Sequence, residues 1–130
     1  MTIAKDIMTK DVIVVTPDTP ISIVIKILAI RKVTGLPVVD ENKKLLGIVS
    51  EKDLMGLLLQ DNIDANLNIE KFMTKEVKSF SPEDDVKTVC EFLLNKPFRR
   101  VPITEGGKLL GLISRADIIK LLWANMADNK

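Results

Sequence analysis

The 130 residues include 46% hydrophobic side chains, 19 basic and 18 acidic groups, a net charge of +1, and no histidine or tyrosine. So balanced a chain has no global field to draw nucleic acid, an anionic membrane or a polyanionic substrate, and any charge-based recognition must be local. With no histidine and a single cysteine, Cys90, the sequence excludes an intramolecular disulfide framework, argues against zinc, and leaves a hydrolase only carboxylates, lysines or hydroxyls.

Residues 1–6 lack the apolar centre of a signal peptide, and the longest apolar stretch, residues 21–30, is broken by Lys26 and too short to span a bilayer. A soluble, cytoplasmic protein without membrane contact is expected. The first element is a β-branched strand over residues 12–15, stopped by Pro17. Thr19 then reads as an N-cap with Pro20 at the first helical position. The helix that follows carries Ile21, Val24, Ile25 and Leu28 at helical spacing, and Ile23, Ile27 and Ile30 widen its apolar arc enough to call for two neighbours. Residues 36–39 and 46–49 form a predicted hairpin around Glu41, Asn42 and Lys43, and a helix over residues 52–59 closes the set. Residues 60–68, with three Asn and two Asp, read as a polar connection.

The same order then recurs. A displacement of 65 brings Ile7-Met8-Thr9-Lys10-Asp11-Val12 onto Phe72-Met73-Thr74-Lys75-Glu76-Val77, Thr16-Pro17-Asp18 onto Ser81-Pro82-Glu83, and Leu36-Pro37-Val38 onto Val101-Pro102-Ile103. After one residue is lost in a turn, Lys44-Leu45-Leu46-Gly47-Ile48-Val49-Ser50-Glu51-Lys52-Asp53 meets Lys108-Leu109-Leu110-Gly111-Leu112-Ile113-Ser114-Arg115-Ala116-Asp117 at a displacement of 64. The second copy thus has a strand over residues 77–80, a helix capped by Asp84, a hairpin turning at Glu105-Gly106-Gly107-Lys108, and a last helix over residues 116–124. Trp123 reads as the anchor of that helix, and Met8 and Met73 as packing for the segments that lead into each copy. We place copy one at residues 1–60, the linker at 61–68 and copy two at 69–130. Copies of about 55 residues bury too little surface to be comfortable alone, so they are expected to pack together.

This β-α-β-β-α pattern resembles the cystathionine-β-synthase (CBS) domain. The resemblance rests on Gly47 to Asp53 and Gly111 to Asp117, with support from Ile7-Met8-Thr9, Phe72-Met73-Thr74, Thr34 to Asp40 and Arg99 to Ile103. It implies an α+β fold in which two tandem repeats pack with pseudo-twofold symmetry, as in a Bateman module of the stand-alone bacterial or archaeal type. Its clefts would bind adenosine compounds and report them to a partner without chemistry on the ligand.

Residue by residue, the resemblance implies that Asp117 and Asp53 hold ribose hydroxyls, that Ser114 and Ser50 lie near phosphate, and that backbone at Val77, Lys78, Val12 and Ile13 contacts adenine. A carboxylate can accept both protons of a ribose diol, and a serine at a helix start sits beside free N–H groups that favour an anion. The same Ser-x-x-Asp spacing is also a capping box; seen once it favours capping, seen twice within this repeat it favours the ligand, and the two roles are compatible. Arg99, Arg100 and Arg115 add a phosphate-suited cluster to copy two, whereas copy one has Thr34, Gly35 and Glu51 in their places. AMP, ADP or ATP is therefore the expected ligand, ahead of S-adenosylmethionine or NAD, with no obligatory cofactor, no metal and no catalytic residue. A homodimer and a regulated enzyme or transporter are the expected partners. The alternative is a ligand-free module for dimerisation or partner docking.

Overall fold

The computed structural model describes residues 1–128. Its elements are α1 (Ala4–Ile7), α2 (Ile21–Arg31), β1 (Gly35–Val39), β2 (Leu45–Ser50), α3 (Glu51–Met55), α4 (Val86–Asn95), β3 (Arg100–Glu105), β4 (Lys108–Ser114) and α5 (Arg115–Asp128), with short 3₁₀ turns at Gly56–Leu59 and Ile69–Lys71. The fold is α+β, with one antiparallel hairpin in each repeat. The chain divides into two compact units, Ile13–Val77 on the one hand and Met1–Val12 with Lys78–Lys130 on the other. Compact units and sequence copies are thus different partitions: the segment leading into each copy folds with the other copy.

In the unit Ile13–Val77, β1 and β2 pair from Gly35↔Ser50 to Val39↔Leu45, with an irregularity between Val38 and Val39. Val15 bridges β1 in parallel through Val15 N–H to Pro37 O (3.1 Å) and Val39 N–H to Val15 O (2.9 Å). On the opposite edge of the hairpin, Thr74 exchanges two backbone bonds with Ile48 at 2.8 and 3.0 Å. Burial of Ile21, Val24 and Leu28 seats α2 on a core completed by Leu36, Val38, Val49, Leu54, Leu57 and Ile69. The other unit repeats the scheme. There β3 pairs with β4, Phe80 bridges Ile103 in parallel, and Thr9 exchanges two bonds with Leu112 at 2.8 and 3.0 Å. Its core is Ala4, Phe80, Val89, Leu93, Val101, Ile103 and Ile113.

The motif glycines make this edge pairing possible. A Cβ at Gly47 would stand 2.5 Å from the Thr74 carbonyl oxygen, and one at Gly111 would stand 2.6 Å from that of Thr9, so only glycine admits the neighbouring backbone. Met73 and Met8 pack beside them, as expected.

Several local expectations are corrected. The strands over 12–15 and 77–80 reduce to single bridges at Val15 and Phe80, because Ile13 and Val14 face solvent and Pro17 and Pro82 interrupt the chain soon after. Helix α2 is preceded by Pro20, not capped by Thr19. Its first amides, of Ile21 and Ser22, donate instead to the carbonyls of Leu67 and Ala65 at 2.8 and 3.2 Å, while the Thr19 hydroxyl accepts from Thr16 N–H. In α4 the cap is Asp85, which accepts from Lys87 N–H at 2.9 Å, while Asp84 accepts from Ser81 N–H. The helix expected over 52–59 splits at Gly56 into α3 and a 3₁₀ turn. Trp123 is 75% exposed; Ile118 is the α5 side chain packed on the core. Ile23 and Ile30 on the widened arc of α2 are likewise exposed.

Candidate functional site

Pairing of β3 with β4 sets Arg100 opposite Ser114, and Arg115 N–H donates to the Arg99 carbonyl at 3.1 Å, so the three arginines and Ser114 gather where β4 runs into α5. Asp117, in the first turn of α5, is the one buried charged residue among those described, at 8% exposure. Its Oδ2 accepts from Ser114 N–H (2.8 Å) and from the Ser114 hydroxyl (3.1 Å), and the Ser114 Oγ accepts from Asp117 N–H (3.3 Å). The capping box weighed from sequence is therefore formed. A third donor is one that the motif does not suggest: the hydroxyl of Thr9, which approaches Asp117 Oδ1 at 3.2 Å and Oδ2 at 3.5 Å.

Arg100 lies partly within the protein. Burial pushes its guanidinium below the usual arginine range, the Asp117 charge opposes this, and the Arg99 charge adds to it. Its Nε is buried with no hydrogen-bond partner among the described residues. A desolvated donor without an acceptor costs about 1–3 kcal/mol, more when charged, and such a group is suited to an anionic oxygen. Arg99 and Arg115 are exposed.

The other unit builds the same frame with different charges. Gly35 faces Ser50 across β1 and β2, and Glu51 N–H donates to the Thr34 carbonyl at 3.0 Å. Asp53 Oδ2 accepts from Ser50 N–H (2.8 Å) and hydroxyl (3.0 Å), and Thr74 Oγ1 stands 3.5 Å from Oδ1. Asp53 is only half-buried, and no arginine takes part. Val12 and Lys78 fall in the unit of Asp117, whereas Ile13 and Val77 fall in the unit of Asp53, so each residue pair considered for adenine straddles a boundary between units.

Among the described residues no group of three or more His, Cys, Asp or Glu could hold a metal ion, and no helix is long and apolar enough to cross a membrane. Sequence reasoning missed Thr9 and Thr74 as partners of the carboxylates. The recurring Met-Thr pair was the available signal, but it carried no hint of a contact across 108 residues.

Two copies of one α+β frame, each ending its hairpin in a Ser-x-x-Asp turn whose carboxylate is shared with a distant threonine, define a tandem-repeat module. The chain belongs to the CBS-domain family, whose model matches residues 4–60 and 69–124. It is 32% identical over 125 residues to the uncharacterised protein MJ1225 of Methanocaldococcus jannaschii, covering 96% of this chain but 44% of that longer protein. Among solved structures it is similar to CBSX2 crystallised with AMP, at a TM-score of 0.87 and 28% identity over 97% of this chain and 99% of that one. It is also similar to the CBS domain pair of protein MJ0100 in complex with 5′-methylthioadenosine and S-adenosyl-L-methionine, at 0.80 and 28%, covering 96% and 98%.

Proposed function

We propose that this chain is a non-enzymatic sensor of adenosine nucleotides of the AMP, ADP and ATP class. The observation that carries this reading is the buried, unpartnered Nε of Arg100 in the same cluster as the Asp117 carboxylate, a cation for phosphate near an acceptor for ribose. In this reading Asp117 takes the ribose hydroxyls, while Ser114, Arg99, Arg100 and Arg115 take the phosphate. Backbone at Val12, Ile13, Val77 and Lys78 serves adenine. Asp53 and Ser50 form the lesser site, where Glu51 disfavours an anion and adenosine or a sulfonium compound is better suited. The AMP complex of CBSX2 supports a nucleotide ligand, and the adenosyl ligands of MJ0100, which carry no phosphate, support the adenosine moiety alone.

Thermal melts against AMP, ADP, ATP, NAD, S-adenosylmethionine, adenosine and GTP, followed by calorimetry, test it. A ligand at a hundred times its Kd raises stability by about 2.7 kcal/mol, enough to read as a clear shift. Adenosine nucleotides should raise the midpoint, Asp117→Ala should abolish most of that gain, and Arg99→Ala should weaken nucleotides more than adenosine. Variants that both bind like the wild type would remove the site assignment.

One further observation favours a second reading. Ile119, Leu122, Trp123 and Met126 form an apolar stripe on α5 at helical spacing, each more than half exposed. Such a face suits a homodimer or docking on an enzyme or transporter. A stable dimer by light scattering, with no thermal shift for any ligand, would favour this reading over the sensor.

A further inference from the structure

Building on the ribose-binding reading above, we propose that Thr9 competes with the ribose diol for the Asp117 carboxylate, so that one hydroxyl from the opposite end of the chain sets the unit's affinity for ribosides. Asp117 already accepts two protein hydroxyls, from Ser114 at 3.1 Å and from Thr9 at 3.2 Å, besides the Ser114 amide. These are the protons a ribose diol would bring. A carboxylate has about four acceptor positions, and with three donors on a buried Asp117 a two-hydroxyl ligand must displace one of them.

The amide bond at 2.8 Å belongs to the helix cap and stays. Thr9 is the donor that yields. Its bond is long beside the roughly 2.5–2.7 Å of a well-formed hydroxyl–carboxylate bond, so a ribose hydroxyl at the shorter distance outcompetes it. The displacement needs only side-chain rotation, because the Thr9 backbone is held independently by its two bonds to Leu112. With adenosine, which brings no phosphate, Ser114 stays in place because its Oγ also accepts from Asp117 N–H at 3.3 Å, whereas the Thr9 hydroxyl is held, among the described residues, by Asp117 alone; a phosphate would draw the single Ser114 proton away and free a position without Thr9 moving. At Asp53 the equivalent Thr74 hydroxyl stands farther away, at 3.5 Å, so competition there is weaker.

Calorimetry of the full chain with adenosine, AMP and 2′,3′-dideoxyadenosine tests this on the wild type, Thr9→Val, Thr9→Ser and Asp117→Ala. Valine keeps the β-branched shape and every backbone bond while removing the hydroxyl. Thr9→Val should bind adenosine about threefold to tenfold tighter than the wild type, the scale of one net hydrogen bond, and AMP tighter by a smaller factor, because its phosphate draws Ser114 off the carboxylate. Thr9→Ser should match the wild type, and the dideoxy compound should show no gain. Unchanged or weaker adenosine binding by Thr9→Val overturns the competition while leaving the sensor reading intact. An equal gain for the dideoxy compound also overturns it, as general loosening. A wild type that binds no riboside, or an Asp117→Ala variant that binds like it, removes the ribose assignment and this inference together.

Discussion

Gly47 and Gly111 are the residues at which the repeat motif turns into geometry. Both sit at the register position where the backbone of a leading segment crosses a hairpin edge, and neither has room for a methyl group. Gly111→Ala should therefore lower the unfolding free energy by about 1–3 kcal/mol, since the obstacle is a carbonyl oxygen that cannot swing aside. Gly56 is the contrast: it has ordinary helical φ and ψ, and a methyl group there would meet nothing within 4 Å, so Gly56→Ala should be neutral or stabilising by up to about 1 kcal/mol. Urea midpoints of the two variants check both signs, and a harmless Gly111→Ala would refute the close approach. What could be read from sequence at this scale follows contact range. Ser114 and Asp117 are three residues apart and their bond is local, whereas the Thr9 to Asp117 contact spans 108 residues and leaves no periodic trace.

At the level of elements, α2 and α4 both begin one residue later than the caps expected from sequence imply, and the reason is shared. Thr19 and Asp84 occupy equivalent positions, and each accepts the amide three residues before it, of Thr16 or Ser81, closing the loop ahead of the helix. Composition marks these side chains as acceptors but does not say which amide they take. The true cap of α4 is Asp85, so Asp85→Ala should cost about 0.5–2 kcal/mol. The hairpin turn of the second copy is easier to anticipate, because Gly106 and Gly107 both adopt positive φ, 59° and 83°, as a two-residue turn of this hand requires. With φ > 0 needed at both positions, Gly107→Val should cost at least about 1 kcal/mol and Gly106→Asn little, a difference that thermal melts of the two variants will read. The leading strands are shorter than expected because β-branched residues register β propensity, while a ladder also needs a partner edge, which Ile13 and Val14 lack.

For the whole chain, the order of the copies was legible and the exchange of their leading segments was not. Ile7-Met8-Thr9-Lys10 and Phe72-Met73-Thr74-Lys75 are so alike that either would suit either hairpin edge, and the sequence holds nothing to assign them. In the structure Met1–Val12 belongs to the unit that carries Asp117, where Ala4 is fully buried, Ile7 and Met8 pack on the core, and Thr9 supplies both the edge pairing and the hydroxyl on the carboxylate. Removing residues 1–12 should thus damage the distant copy rather than the adjacent one. The loss includes apolar burial, which is worth up to about 1.5–3 kcal/mol for each large side chain fully buried, a sizeable part of the usual 5–15 kcal/mol of a domain. Hydrogen exchange on the truncated chain should show faster exchange at Leu112, whose amide donates to Thr9, and weakened protection through β3 and β4, while β1 and β2 keep theirs. Protection lost instead from β1 and β2 would mean that the leading segment serves the copy it precedes, and that the division into units is wrong.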